Sequence, residues 1–290
     1  MSAHPAPARR LTLGDLAAKK DAGDPIVMVT AYDHPGAQIA EEAGVDMVLV
    51  GDSGAMTVLG YDSTVPVTVD EMLMLTRAVR RGLSRALLVG DLPFGSYEAS
   101  DALAIETAQR FVKEAGVDLV KIERGGTTVD RARAIVASGI PVVGHVGLTP
   151  QTATALGGYR AQGRTAEGAL AVIDDALALQ DAGCSLIVLE AVPAEITRAL
   201  QPLLRIPTIG IGAGADADGQ VLVFHDLLGL LDGPQAKFVK RYAELRGAAI
   251  DGVRAYADEV RSREYPAVEH TYGMPADEVA RLEQLLAERS

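Results

Sequence analysis

Three stretches of the chain share one design. "AGVDMVLVGD" spans Ala43–Asp52, "AGVDLVKIE" spans Ala115–Glu123 and "AGCSLIVLE" spans Ala182–Glu190. Each is a Gly-marked turn, then an apolar run without polar alternation, then a carboxylate. A strand with no alternation is buried on both faces, which is the condition of a parallel sheet covered by helices. Further runs of this kind lie at Ile26–Thr30, Ala86–Gly90, Pro141–Gly144, Pro207–Ile211 and Val221–Phe224. With Met47–Gly51, Leu119–Ile122 and Leu186–Leu189 from the three repeats they make eight candidate strands. Helical periodicity separates them: Met72, Leu75 and Val79 in Val69–Arg81; Ile105, Ala108 and Phe111 in Ala102–Ala115; Leu170, Ile173 and Leu177 in Ala166–Ala182. Strand–helix alternation implies right-handed crossovers and a parallel sheet.

Eight such strands can close on themselves. A (β/α)₈ TIM barrel takes about 250 residues, which Ile26 to Arg261 supplies. The rival is an open doubly wound sheet, which usually carries G-x-G-x-x-G after its first strand; "MVTAYDHPG" lacks it. The expectation is an α/β chain folded as a (β/α)₈ TIM barrel, with a short N-terminal helix at Leu11–Lys20 closing one end and extra C-terminal helices at Gln235–Leu245 and Ala248–Ser262. Residues 1–272 are read as one catalytic barrel domain. Residues 273–290 are read as a C-terminal extension, helical over Glu278–Glu288 or frayed, with no assigned role.

Composition narrows the function. A net charge of −12 over 290 residues excludes the basic face of a nucleic-acid binder. One cysteine, Cys184, excludes an internal disulfide and a thiolate metal cluster. No apolar run approaches the ~18 residues of a membrane helix, and no apolar stretch follows Arg9 and Arg10 as a secretory signal requires. The expected setting is cytoplasmic, with small-molecule partners and neither nucleic acid nor membrane.

Active sites of parallel α/β architectures sit at the carboxyl ends of the strands. That position holds Asp52, Asp91, Glu123, His145 and Glu190, and Lys121 shares a face with Glu123 two residues on. A single Asp after a strand is as a rule the N-cap of the next helix. Four acids with a His and a Lys ask for more: clustered carboxylates repel unless a cation or protons intervene. Oxygen ligands without thiolate favour Mg²⁺ or a similar ion, which takes only a few protein carboxylates, so some of the four acids are free for other work such as proton abstraction. Two Gly-rich segments are open to two readings. "GIGAG" (Gly210–Gly214) is either a phosphate cradle or a turn where backbone needs room. "GGYRAQGR" (Gly157–Arg164) is either a lid or a surface loop.

The segments "TAYD", "VGDSGAMTVLGYDSTVPVT", "DLPFGSY", "VKIERGG", "GHVGLTPQ", "GGYRAQGR", "VLEAVP", "IGIGAG", "DGQVLVFHD" and "YPAVEH", in this order from Leu11 to Tyr272, resemble the ketopantoate hydroxymethyltransferase (3-methyl-2-oxobutanoate hydroxymethyltransferase) family. The resemblance implies a (β/α)₈ barrel that transfers a hydroxymethyl group from 5,10-methylenetetrahydrofolate to 3-methyl-2-oxobutanoate through a Mg²⁺-stabilised enolate, giving 2-dehydropantoate for pantothenate and coenzyme A. It implies Asp52, Asp91 and Glu123 as Mg²⁺ ligands, directly or through water. It implies Ser53, Lys121 and His145, with Asp52 and Asp91, around the substrate, and Glu190 as the catalytic base. It also implies a homo-oligomer, commonly a decamer. Arg124 departs from the family's glycine in that turn and is expected to face solvent. A metal-dependent keto-acid enzyme without folate, of the class II pyruvate aldolase or phosphoenolpyruvate mutase type, shares the acids. A silent anion-binding barrel would leave them unexplained.

Overall fold

A computed structural model describes residues 9–123, 127–233 and 235–289. Eight parallel strands form a closed barrel in sequence order: β1 (Ile26–Thr30), β2 (Met47–Val50), β3 (Leu87–Asp91), β4 (Leu119–Glu123), β5 (Val142–Gly147), β6 (Leu186–Glu190), β7 (Thr208–Ile211) and β8 (Gly219–Leu222). The ring closes where β8 pairs with β1, Val221 opposite Met28. Seven strands overlap the expected runs closely. The eighth starts two residues early, at Gly219 instead of Val221, and Phe224 opens a helix instead of ending the strand. A Cβ at Gly219 would stand 2.3 Å from the Ile26 carbonyl oxygen, so the barrel seam needs a glycine where an apolar run was sought.

The helices are α1 (Leu13–Ala22), α2 (His34–Glu42), α3 (Gly54–Thr57), α4 (Val69–Arg80), α5 (Asp101–Ala115), α6 (Thr128–Ala137), α7 (Ala166–Asp181), α8 (Ala194–Leu200), α9 (Phe224–Leu227), α10 (Leu245–Ser262) and α11 (Ala276–Ala287). Their ends follow local chemistry. Thr68 caps α4 and Glu71 answers with its own carboxylate, a reciprocal box. Ser100 caps α5 and left-handed Gly116 ends it. β7 passes to β8 through seven residues without a helix. The helix expected over Gln235–Leu245 is absent; the chain turns there, and α10 begins at Leu245.

Two apolar layers hold the barrel. Outward residues such as Val48, Leu88, Val120, Ile122, Val142 and Ile187 pack under the helices. Inward residues including Met28, Met47, Leu49, Val89, Leu119, Val143, Leu186, Val188 and Ile209 fill the interior, a packed core and not a pore. Leu16 of α1 joins the inner set at 1% exposure. Lys19 pairs with Asp46 and Lys20 with Asp218, the residues that precede β2 and β8, so α1 plugs the amino end as expected. The other end is left to polar side chains. The chain divides into two compact units, Met1–Ala243 and Glu244–Ser290. The second holds α10 and α11, neither of which has a buried residue, and it includes residues 244–272 that sequence patterning grouped with the barrel.

Candidate active site

The barrel's register brings the expected residues together. Asp91 pairs with Lys121 across β3–β4, Glu123 with His145 across β4–β5, and Gly147 with Glu190 across β5–β6. On β3 and β6 the last inward residue is an acid above apolar Val89 and Val188; on β4 Lys121 and Glu123 both face inward above Leu119, and on β5 His145 lies above Val143. The side chains therefore meet over a dry floor, where charge–charge interactions exceed those in water.

Lys121 Nζ lies 2.8 Å from Asp91 Oδ2, 3.7 Å from Glu123 Oε1 and 3.4 Å from His145 Nδ1. His145 Nδ1 is 3.2 Å from Glu123 Oε1, and its Nε2 is 3.2 Å from Glu190 Oε2. Asp52 follows β2, and its amide donates to Asp91 Oδ2 at 3.1 Å. Ser53 Oγ shares a hydrogen bond of 2.8 Å with Tyr32 Oη. Exposure divides the acids: the side chains of Asp91 and Glu123 are 1% exposed, that of Glu190 17%. Glu190 is the carboxylate within reach of an entering molecule.

The electrostatics follow from this crowding. Burial pushes the Asp52 carboxyl well above the usual range, and the negative fields of Asp91 and Glu123 add to it. Burial also raises Asp91, with Lys121 opposing. For Glu123, burial is outweighed by the contact with His145 and the charge of Lys121, so it stays low. Burial and the charge of Lys121 disfavour the His145 imidazolium, but Glu123 and Glu190 on its two nitrogens prevail and lift it to about 9. Lys121 is held charged: burial acts against it and the surrounding acids win.

Two residues whose segments were noted but whose roles were not now stand out. Gln151 donates its backbone N–H to Glu123 Oε2 at 3.0 Å and its side-chain amide to Asp52 Oδ2 and the Leu92 carbonyl, each at 3.0 Å. Tyr97 Oη donates to Gln151 Oε1 at 2.7 Å and accepts from the Glu123 N–H at 3.2 Å. Gln151 thus ties the acids of β2 and β4 into one frame. Both lie in quoted motifs, "GHVGLTPQ" and "DLPFGSY", and only the fold shows them facing each other.

The residue after Glu190 is Ala191, in the left-handed region at φ 47°. Its N–H donates to the Ile211 carbonyl and its carbonyl accepts from the Gln162 N–H, at 2.8 and 2.9 Å. A strained conformation persists only where its surroundings over-determine it, and such residues gather at active sites. Gly147, at φ 96°, lets β5 pass directly under Glu190; a Cβ there would lie 2.2 Å from the Glu190 carbonyl oxygen. In "GIGAG", a Cβ on Gly212 would meet the Phe238 ring at 2.4 Å, so this segment is a turn where backbone needs room. "GGYRAQGR" runs beside the site, joined to it through Gln162 and Ala191.

The donor set suits a hard cation. Asp91 Oδ1 is buried without a hydrogen-bond partner, and the elevated carboxyls of Asp52 and Asp91 are what a divalent charge would relieve. No three His, Cys, Asp or Glu side chains among the described residues converge closely enough to enclose a metal alone. Mg²⁺ has no such need, since it keeps several waters and takes one or two carboxylates. Arg124 lies outside the described residues, and the expectation about its turn with it.

The sequence pattern of the ketopantoate hydroxymethyltransferases matches residues 10–268. The chain belongs to this family. Among its relatives, the 3-methyl-2-oxobutanoate hydroxymethyltransferase of Oleidesulfovibrio alaskensis is 53% identical over 284 residues, covering 98% of each chain. That of Moorella thermoacetica is 53% identical over 263 residues, 91% of this chain and 98% of the relative. The chain is an enzyme, a transferase of the hydroxymethyl class. Its barrel resembles phosphonopyruvate hydrolase (TM-score 0.59, 14% identity, 96% of each chain covered) and 2,3-dimethylmalate lyase (TM-score 0.56, 17% identity, 94% of this chain and 98% of that one). At these identities the likeness concerns the fold. No helix among the described residues is long and apolar enough to cross a membrane.

Proposed function

We propose that this family member transfers a hydroxymethyl group from 5,10-methylenetetrahydrofolate to 3-methyl-2-oxobutanoate, with Glu190 as the base that removes the proton at C3. The observation that carries the assignment is the division among the acids. Asp52, Asp91 and Glu123 are locked in a buried frame of hydrogen bonds and ion pairs. Glu190 alone is partly exposed, with the rest of its surroundings a cavity.

Asp52 and Asp91 would hold Mg²⁺, with Glu123 reaching it directly or through water. When bound, the ion supplies positive charge next to the keto oxygen, lowering the energy of negative charge that develops there. The remaining work belongs to side chains. Lys121, kept charged by its acids, binds the keto acid's carboxylate, and Ser53, positioned by Tyr32, donates its hydroxyl to the same substrate. His145 sits beside the base: as an imidazolium it places its charge 3.2 Å from both Glu123 and Glu190. The Glu190 carboxylate takes the proton from carbon. The carbon nucleophile so formed takes up the one-carbon unit of the folate with one molecule of water: a new C–C bond and a C–O bond to the water oxygen replace its two C–N bonds, and tetrahydrofolate leaves carrying the protons from C3 and from water. Assembly as a homo-oligomer, a decamer, belongs to the same proposal; light scattering showing a stable monomer at assay concentration would contradict it.

The test is product formation with keto acid, methylenetetrahydrofolate and Mg²⁺, each omitted in turn. Loss of 2-dehydropantoate on every omission is expected. Product without folate would favour an aldolase-like reaction and overturn the assignment.

A further inference from the structure

A cavity of roughly 630 Å³ opens onto Glu190 and is lined by the segment after β5, the start of α8 and the chain around Phe238. Asp52, Asp91, Lys121 and Glu123 do not line it. The site therefore has two compartments, a small buried polar one and a wide outer one, which meet at Glu190. Such a division suits a reaction that joins two substrates.

The outer compartment has a specific chemistry. Its walls include Leu148, Val192 and Phe238, and three cations edge it: Arg160, Arg164 and Lys237. None of the three makes an ion pair with any described residue; Arg81, Lys113 and Lys240 on the same unit likewise make none with a described residue, but they do not line this cavity. In a chain with net charge −12, this cavity gathers three cations and a single acid, Glu190, in its lining. They are also not on a free tail. The Gln162 N–H bonds to the Ala191 carbonyl between Arg160 and Arg164, which fixes that segment next to the base. Apolar walls with cations at the edge suit a flat aromatic body that ends in carboxylates, and guanidinium groups are the side chains best shaped to receive carboxylate.

Resting on the folate reading above, we propose that Arg160, Arg164 and Lys237 bind the carboxylates of the donor's glutamate tail, with the aminobenzoyl ring against the apolar wall. Selection of the one-carbon donor then belongs to this compartment, and selection of the keto acid to the buried one.

The test uses the full chain with Mg²⁺. The variants are Arg160→Gln, Arg164→Gln, Lys237→Gln and the triple combination. Arg133→Gln, an exposed arginine on α6 remote from the cavity lining, controls for the change in net charge. Steady-state kinetics vary keto acid and methylenetetrahydrofolate separately, with p-aminobenzoyl-glutamate as a competing probe. The triple variant is expected to raise the donor KM about tenfold or more, equivalent to ~1.4 kcal/mol if KM follows affinity. The keto acid KM should move less than twofold, and the probe should lose its competition with the donor. Single variants should each show part of the rise, so the reading does not depend on the triple variant folding. An unchanged donor KM in all of them, or an equal rise in Arg133→Gln, overturns the proposal while leaving the folate reading intact. A wild-type enzyme that forms no product from methylenetetrahydrofolate overturns both.

Discussion

Gly147→Ala should damage catalysis by pressing on Glu190, the proposed base, from behind. The new Cβ would stand 2.2 Å from the Glu190 carbonyl oxygen, where ordinary contact begins at 3.4 Å. The overlap of 3.4 − 2.2 = 1.2 Å falls on backbone, which cannot rotate away as a side chain would. The residue also sits at φ 96°, outside the basins of an L-residue, at about 1–3 kcal/mol. Gly139→Ala separates these effects. Gly139 has nearly the same φ, 92°, and nothing within 4 Å of its Cβ position. Both variants share the backbone strain and the smaller entropy of the unfolded chain, so their difference reads the clash. Overpacking accounts for about 1–3 kcal/mol, and losing the Leu148 N–H to Glu190 carbonyl bond for about 1 more. Urea unfolding should therefore place Gly147→Ala about 2–4 kcal/mol below Gly139→Ala. A shift of the base near 1 Å should lower kcat by about 10², with Gly139→Ala within a factor of about 2 of wild type. Equal stability of the two variants, or an unchanged kcat in Gly147→Ala, would show that Glu190 is not held by this contact.

Glu190→Gln keeps the shape and removes the proton acceptor; solvent deuterium exchange at C3 of the keto acid should fall by about 10²–10⁴. Excess Mg²⁺ should not restore it, and calorimetric Mg²⁺ affinity should stay near normal; recovery of exchange at high Mg²⁺ would place Glu190 among the ligands instead. Gln151→Met removes three side-chain hydrogen bonds, one to a carboxylate, and should destabilise by about 2–5 kcal/mol; an unfolding midpoint equal to wild type would remove Gln151 from the frame. Cys184 is buried, and burial raises its thiol to about 12. At pH 8 a disulfide reagent should attack the native protein about 10³-fold more slowly than the unfolded chain, following the thiolate fraction; fast labelling without unfolding would show local opening at the start of β6.

Much of the barrel is legible in the chain because the eight strands are buried on both faces and so read as unbroken apolar runs. The N-terminal plug was legible too, as a short helix over Leu11–Lys20, though only the structure shows Leu16 as its buried residue. Reading failed where the fold asks something other than apolarity. Gly219 opens β8 because the Ile26 carbonyl approaches closely, and glycine at a strand start looks like a loop. Residues 235–244 have helical composition without helical structure; Phe238 is there to pack against Gly212 and the barrel interior. At the site, strand-end position singled out Asp52, Asp91, Lys121, Glu123, His145 and Glu190, because parallel strands deliver their ends to one place. Gln151 and Tyr97 lie on loops 54 residues apart, and no local pattern says that two loops face each other. Arg160, Arg164 and Lys237 were hidden for the same reason, since a cation without a partner is a property of the folded surroundings.

Ala191 gives the active site a property that matters to anyone rebuilding it. Its N–H belongs to β7 and its carbonyl to the loop that carries Arg160 and Arg164. Position of the proposed base and shape of the proposed donor cavity thus both depend on one residue. A loop graft intended to admit a different one-carbon donor would also re-aim Glu190 unless it kept a backbone donor where Gln162 now stands. On the proposed assignment, side-chain exchange within the native loop would change donor preference while leaving Glu190 in place.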